Sequence, residues 1–113
     1  MKPALIVQDN ACQEIEAAIA QAGFVAIITR SCGHGLALAK AITPHFAIVD
    51  VLLGEPDSRA LLLHLRNDRV PFGYYSTRIA HADYKAFPGP LLRKPATREL
   101  LTELIGILIP SGT

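Results

Sequence analysis

One carboxylate stands in the segment with the least room for it. HFAIVDVLLGEP (45–56) runs apolar from Phe46 to Val49, meets Asp50, and continues apolar through Val51, Leu52 and Leu53. An ionised carboxylate taken out of water without partners costs on the order of several kcal/mol, or is protonated instead. Asp50 therefore belongs at the mouth of a core or among groups that neutralise it. Three other short stretches end in such groups: Val7-Gln8-Asp9, Tyr75-Ser76-Thr77 and Arg93-Lys94-Pro95. Brought to one place, they ring Asp50 with a second carboxylate, a hydroxyl and an ammonium. That set suits transfer of a phosphoryl group to a carboxylate. Asp9 and Asp50 would hold Mg2+, an ion that takes oxygen ligands and keeps several waters. Metal and lysine would neutralise the equatorial phosphoryl oxygens while one aspartate becomes an acyl phosphate. The hydroxyl would bind a phosphoryl oxygen and register its arrival.

Those stretches meet if each is the carboxyl end of a strand in one parallel sheet. The chain alternates short apolar runs with longer amphipathic ones throughout. ALIV (4–7) is predicted as a strand; Asn10 then caps a helix through about Ala22, with Ile15, Ala18, Ile19 and Ala22 on one face and Gly23 as its C-cap. FVAIIT (24–29) is a second strand, and GLALAKAI (35–42) a short helix stopped before Pro44. FAIVDV (46–51) is a third strand, followed by a helix capped by Asp57 or Ser58 and ending near Asn67. PFGYYS (71–76) and PLLR (90–93) are the fourth and fifth, with a weakly helical piece from Thr77 to Phe87 between them. Thr97 caps a last helix, RELLTELIGILI. Strands that are continuously apolar imply an α/β fold, a parallel sheet covered by helices on both faces. Ligands of such sheets bind outside the carboxyl ends of the strands, which puts Asp50 at the rim, within reach of water.

The 113 residues fit a single domain, 1–113, with no repeat, linker or low-complexity segment. Half of them are hydrophobic and 19% charged, enough for a full core. A formal charge of +1 gives no case for nucleic acid or for an acidic membrane as partner. MKPALIVQDN has too few apolar residues for a secretory signal, and no run reaches the roughly eighteen of a spanning helix, so a cytoplasmic protein is expected. Cys12 and Cys32 lack CxxC or zinc spacing and read as reduced thiols. His34, His45, His64 and His81 form no helical i, i+4 pair and read as surface residues. Gly33-His34-Gly35 lacks the spacing and lysine of a phosphate loop. Tyr74 and Tyr75 read as core.

With these residues in place, the sequence resembles the response-regulator receiver domains of two-component signalling over essentially its whole length. FAIVD, ending in Asp50, is similar to the strand that carries the family's phospho-accepting aspartate. LLRKP, with Lys94-Pro95, is similar to its lysine followed by a cis-proline. Ser76 falls at the switch Ser/Thr position, and Asp9 at the second of the paired acids after strand one, a direct metal ligand in the family. The resemblance implies a flavodoxin-like, doubly wound sheet of five strands in the order 2-1-3-4-5. It also implies a Mg2+ site made of Asp9, Asp50 and the backbone carbonyl of Leu52.

Three positions depart from the family. Gln8 stands where the first acid is usual, so one negative charge is missing. Leu91, three residues before the lysine, replaces a common aromatic ring, and Gly54-Glu55-Pro56 replaces a proline four residues after the aspartate. The expectation is a receiver domain that accepts a phosphoryl group on Asp50 from a histidine kinase or phosphotransfer protein. It would signal to an output protein through protein–protein contacts, with a homodimer left open, and would be catalytic only in its own phosphorylation and dephosphorylation. The alternative is a degenerate receiver that binds partners without phosphorylation, for which Gln8 and Leu91 speak. An enzyme or flavin-binding protein on the same fold would need a glycine- and serine-rich loop after strand one, and QDNACQE is not one.

Overall fold

The computed structural model of the protein describes residues 2–8, 13–50, 56–76 and 85–109. Every residue of β1 (Pro3–Val7) and β3 (Phe46–Val49) is buried. Successive strand side chains point to opposite faces, and here both faces are covered, which is why these runs show no polar alternation. Ala4, Ile6, Phe46 and Ile48 pack into one layer with α1 (Gln13–Gln21) and α4 (Arg98–Leu108). Leu5, Val7, Ala47 and Val49 pack into the other with α2 (Cys32–Ile42) and α3 (Pro56–Asn67). Together with β2 (Val25–Thr29), β4 (Phe72–Ser76) and β5 (Leu91–Arg93) they form an all-parallel five-stranded sheet, ordered β2-β1-β3-β4-β5. Fold class and strand order are those expected. Each fully buried Leu or Ile of the two layers contributes about 1.5–3 kcal/mol, and the sandwich rests on them.

Capping chemistry sets the helix ends. After α1, Phe24 N–H donates to Ile19 O at 3.1 Å and Gly23 N–H to Ala20 O at 3.0 Å, with Gly23 at φ 89°. This paired return of the chain needs a left-handed residue, and glycine adopts that without a Cβ penalty. Helix α2 starts at Cys32, earlier than the expected Gly35, because Ser31 Oγ accepts the His34 N–H at 3.1 Å and caps the extra turn. Gly33 and Gly35 concealed that turn, glycine being a poor helix former. Space explains Gly35: a Cβ there would lie 3.0 Å from Val7 Cγ2. Helix α3 starts at Pro56, just ahead of the expected Asp57 or Ser58 cap, and a preset φ suits the first helical position. Thr97 Oγ1 accepts the Leu100 N–H at 3.3 Å and opens α4 as expected. Strands β2, β4 and β5 each start one residue later than read, and β3 stops two residues earlier. The expected cap at Asn10 and residues 77–84 of the weakly helical piece lie outside the described residues. Among the described residues, no helix is long and apolar enough to cross a membrane.

At Gly73, α4 and the β5 entry approach the sheet closely. A Cβ there would meet Leu104 Cδ1 at 3.1 Å, Pro90 O at 3.2 Å and Leu108 Cδ1 at 3.3 Å. Pro90 O is itself held by the Tyr74 N–H at 2.8 Å, so it retreats only by loosening the β4–β5 ladder. Gly73→Ala is expected to lose about 1–3 kcal/mol through overpacking. Gly106→Ala, in the exposed face of α4 with nothing within 4 Å of the new methyl, is expected to gain up to about 1 kcal/mol. Urea unfolding of both variants checks this, and a Gly73→Ala protein as stable as wild type would show that β4 and β5 separate freely.

Candidate functional site

Backbone hydrogen bonds continue past the regular strands and seat the candidate residues along one edge of the sheet. Gln8 N–H donates to Thr29 O at 3.0 Å, Asp50 N–H to Val7 O at 2.7 Å, and Lys94 N–H to Ser76 O at 3.1 Å. Because all strands run parallel, these are all carboxyl ends. Gln8, Asp50, Ser76 and Lys94 are therefore brought together by the ladder before any side chain acts. The Lys94-Pro95 peptide bond is cis.

Asp50 lies deeper than the water-accessible rim position expected for it. The residue is 7% exposed, yet both carboxylate oxygens are occupied: Ser76 Oγ donates to Oδ1 and Lys94 Nζ to Oδ2, each at 2.6 Å. Hydrogen bonds to an ionised group are shorter and roughly twice as strong as neutral ones. Two protein donors thus replace the water that a rim carboxylate would bind, and the charge is matched where it sits. The lysine side chain keeps 19% exposure against 6% for the aspartate, so the lysine is the more open member of the pair.

Gln8 is inside the site, not turned away from it. It is 2% exposed, and its Nε2 makes a long contact of 3.5 Å with the Tyr75 carbonyl on β4, passing the end of β3, which lies between. A carbonyl only accepts, so the amide nitrogen has to face it. Gln8 Oε1 is buried with no hydrogen-bond partner among the described residues. Asp9 and Leu52 lie outside the described residues. Mg2+ takes oxygen donors. Asp50 retains lone pairs beyond its two hydrogen bonds, and Gln8 Oε1 is an unsatisfied hard oxygen, so the described donors fit such an ion in kind.

Sequence reading missed Tyr75, which it assigned to the core. It is 4% exposed as expected, but its ring centroid lies 5.4 Å from Lys94 Nζ and its hydroxyl accepts the Ala96 N–H at 3.3 Å. The available signal was its place directly before Ser76, one strand from the lysine. Leu91 is 38% exposed. His34 is less free than expected, its Nδ1 lying 2.9 Å from Thr29 Oγ1, and His64 Nε2 lies 3.3 Å from the Asp68 carboxylate one turn on. Cys32 is buried and in no disulfide. Among the described residues, no cluster of three His, Cys, Asp or Glu side chains could hold a metal ion.

No protein-family model matches the chain, and no curated protein matches it. Solved structures do. A response regulator from Thermotoga maritima superposes with a TM-score of 0.79 at 18% identity, over 96% of this chain and 97% of its own. The Vibrio cholerae chemotaxis protein CheY4 gives a TM-score of 0.76 at 19% identity, over 96% and 98%. The signal receiver domain of a modulated diguanylate cyclase from Desulfovibrio desulfuricans G20 gives 0.77 at 19%, over 95% and 92%. The fold of this chain is that of the response-regulator receiver domains, as the sequence resemblance implied.

Removing one member of a buried ion pair leaves the other charged and unpartnered, which costs about 3–5 kcal/mol when burial is complete. With Lys94 partly exposed, Lys94→Ala is expected to cost about 2 kcal/mol. The double variant Asp50→Asn/Lys94→Ala should be more stable than Lys94→Ala alone, since no buried carboxylate is left without its cation. Chemical denaturation of wild type, both singles and the double, in chelator, completes the cycle. Additive losses would show that the two charges do not feel each other.

Proposed function

We propose that the chain is a receiver domain that accepts a phosphoryl group on Asp50 from a histidine kinase or phosphotransfer protein and passes the signal on through protein–protein contacts. The observation that carries this reading is the Asp50 carboxylate held between Ser76 Oγ and Lys94 Nζ, each at 2.6 Å. An ionised carboxylate has about four lone-pair sites, and two remain for attack on phosphorus. An oxygen of Asp50 forms the new O–P bond; the donor's nitrogen leaves with the old bonding pair and takes a proton from solvent. Lys94 supplies positive charge beside the group that arrives. Ser76 has a hydroxyl proton to offer a phosphoryl oxygen in place of Asp50 Oδ1. Asp50, Gln8 Oε1 and, outside the described residues, Asp9 and the Leu52 carbonyl would hold Mg2+. When bound, the ion would supply further neutralisation of phosphoryl charge.

A second reading, a receiver that binds partners without phosphorylation, is favoured by two features. Ser76 Oγ is engaged by the Asp50 carboxylate itself, and Gln8 brings an amide where an acid is usual. The two readings differ in one measurement. Incubated with acetyl phosphate and Mg2+, the wild type should gain one base-labile phosphoryl group by intact mass, and Asp50→Asn should gain none. A label that persists in Asp50→Asn removes Asp50 from the role, and a wild type that never labels supports the second reading.

Gln8 gives the site a further testable property. A carboxylate at this position would add an attraction for a divalent cation, most of it offset by bound water and by repulsion from Asp50. Gln8→Asp is expected to tighten Mg2+ binding about tenfold, or about 1.4 kcal/mol. Metal titrations of both proteins at matched ionic strength measure it; equal affinities would place residue 8 outside the electrostatics of the ion.

A further inference from the structure

Lysine carries its ammonium on a flexible four-carbon stem, and at 19% exposure the Lys94 side chain has water to turn to. Its Nζ nevertheless sits 2.6 Å from Asp50 Oδ2. Strand β4 supplies the restraint, through main chain and side chain together. Ser76 O accepts the Lys94 N–H at 3.1 Å. The Tyr75 hydroxyl accepts the Ala96 N–H at 3.3 Å, which is the first donor after Lys94 because Pro95 has none. The Tyr75 ring faces the ammonium at 5.4 Å from Nζ to centroid, a distance at which a ring attracts a cation. That ring is fixed in turn, being 4% exposed in the layer of Ile6, Ile48 and Leu101. Leu91, three residues before the lysine on β5, is aliphatic and 38% exposed, so the aromatic contact comes from β4.

We infer that Tyr75 is the positioning residue of Lys94: its ring is the surface against which the ammonium rests, and its hydroxyl anchors the turn at Ala96. The ammonium is thereby kept directed at Asp50 and at a phosphoryl group joined to it. The functional meaning rests on the proposed phosphoryl acceptance; the contact itself does not. Tyr75 touches neither phosphodonor nor phosphoryl group and acts through Lys94. A purely structural Tyr75 would fill core volume, and its loss would then harm the protein whether or not Lys94 were present.

Two kinds of measurement on the full chain separate these roles. The Lys94 ε-methylene protons, assigned by their absence in Lys94→Ala, should be shifted upfield by the ring in wild type and in Tyr75→Phe, and not in Tyr75→Leu. In Tyr75→Phe the Ala96 amide, having lost its acceptor, should exchange about tenfold faster. With acetyl phosphate and Mg2+, Tyr75→Leu should label about tenfold more slowly than wild type but should not slow Lys94→Ala further. If wild type does not label, the phosphoacceptor reading fails, and the proton shifts and amide exchange still decide on Tyr75. If Tyr75→Leu does not fold, wild type and Tyr75→Phe decide it. Lys94 ε-protons at free-lysine positions in wild type would overturn the inference. So would equal labelling of Tyr75→Leu and wild type, or an equal slowing of labelling by Tyr75→Leu with and without Lys94.

Discussion

Asp50 and Lys94 end strands that are not neighbours. Between β3 and β5 lies β4, and Ser76 at its end donates to the same carboxylate, so three strand ends share one anion. At contact distance, opposite charges attract by roughly 4 kcal/mol or more at an effective dielectric near 20, but removing both from water costs a comparable amount. The pair therefore adds little net stability and cannot be what assembles the site. Assembly falls to the apolar strands: Phe46, Ala47, Ile48 and Val49 are all 0% exposed, and they place Asp50 where its partners must come to it. The ladder bond from Lys94 N–H to Ser76 O and the Tyr75 ring then bring the ammonium to it.

The sequence disclosed the layers because burial on both faces leaves a mark that a chain cannot hide. FAIV and ALIV have no polar alternation, and only a sheet covered on both sides accepts such runs. Asp50, Ser76 and Lys94 were legible for the opposite reason, each being polar directly behind an apolar run. Strand order was not written in periodicity at all and came only with the family resemblance. The depth of Asp50 was not legible either. A carboxylate reads as a rim group until its cation is known, and that cation lies 44 residues further along the chain. The extra turn of α2 was masked by Gly33 and Gly35, one of which is present for clearance from Val7 and not for flexibility. Tyr75 was read as core because it is core. Its place directly before Ser76 was the one local sign; that the ring faces an ammonium depends on the pairing of β4 with β5.

Gln8 changes the charge arithmetic of this edge. Asp50 and Lys94 cancel, and an amide adds nothing, so the described part of the pocket is neutral; an acid at position 8 would have left it at −1. A neutral pocket attracts a divalent cation less strongly and repels an incoming phosphoryl dianion less strongly. If the site works as proposed, Gln8 would make it depend less on a metal ion and more on Lys94. That raises the importance of whatever keeps the lysine in place.

If Asp50 accepts a phosphoryl group as proposed, Ser76 sets how that group would be felt elsewhere. Its hydroxyl has one proton, already given to Asp50 Oδ1 at 2.6 Å. Donation to a phosphoryl oxygen therefore requires giving up the carboxylate, so the two states trade one charge-assisted bond for another. A ligand shifts an equilibrium only by the difference between its interactions in the two states, and two bonds of the same kind differ little. The free energy for any rearrangement has to come from what accompanies the trade: the added negative charge beside Lys94, and the need for Ser76 at the end of β4 to follow the phosphoryl oxygen outward. Tyr75 is the residue next to Ser76, and its hydroxyl holds the Ala96 N–H. On the proposed phosphoryl acceptance, a movement of Ser76 would reach the turn that follows Lys94 through Tyr75, and the ring that rests against the lysine would resist its displacement.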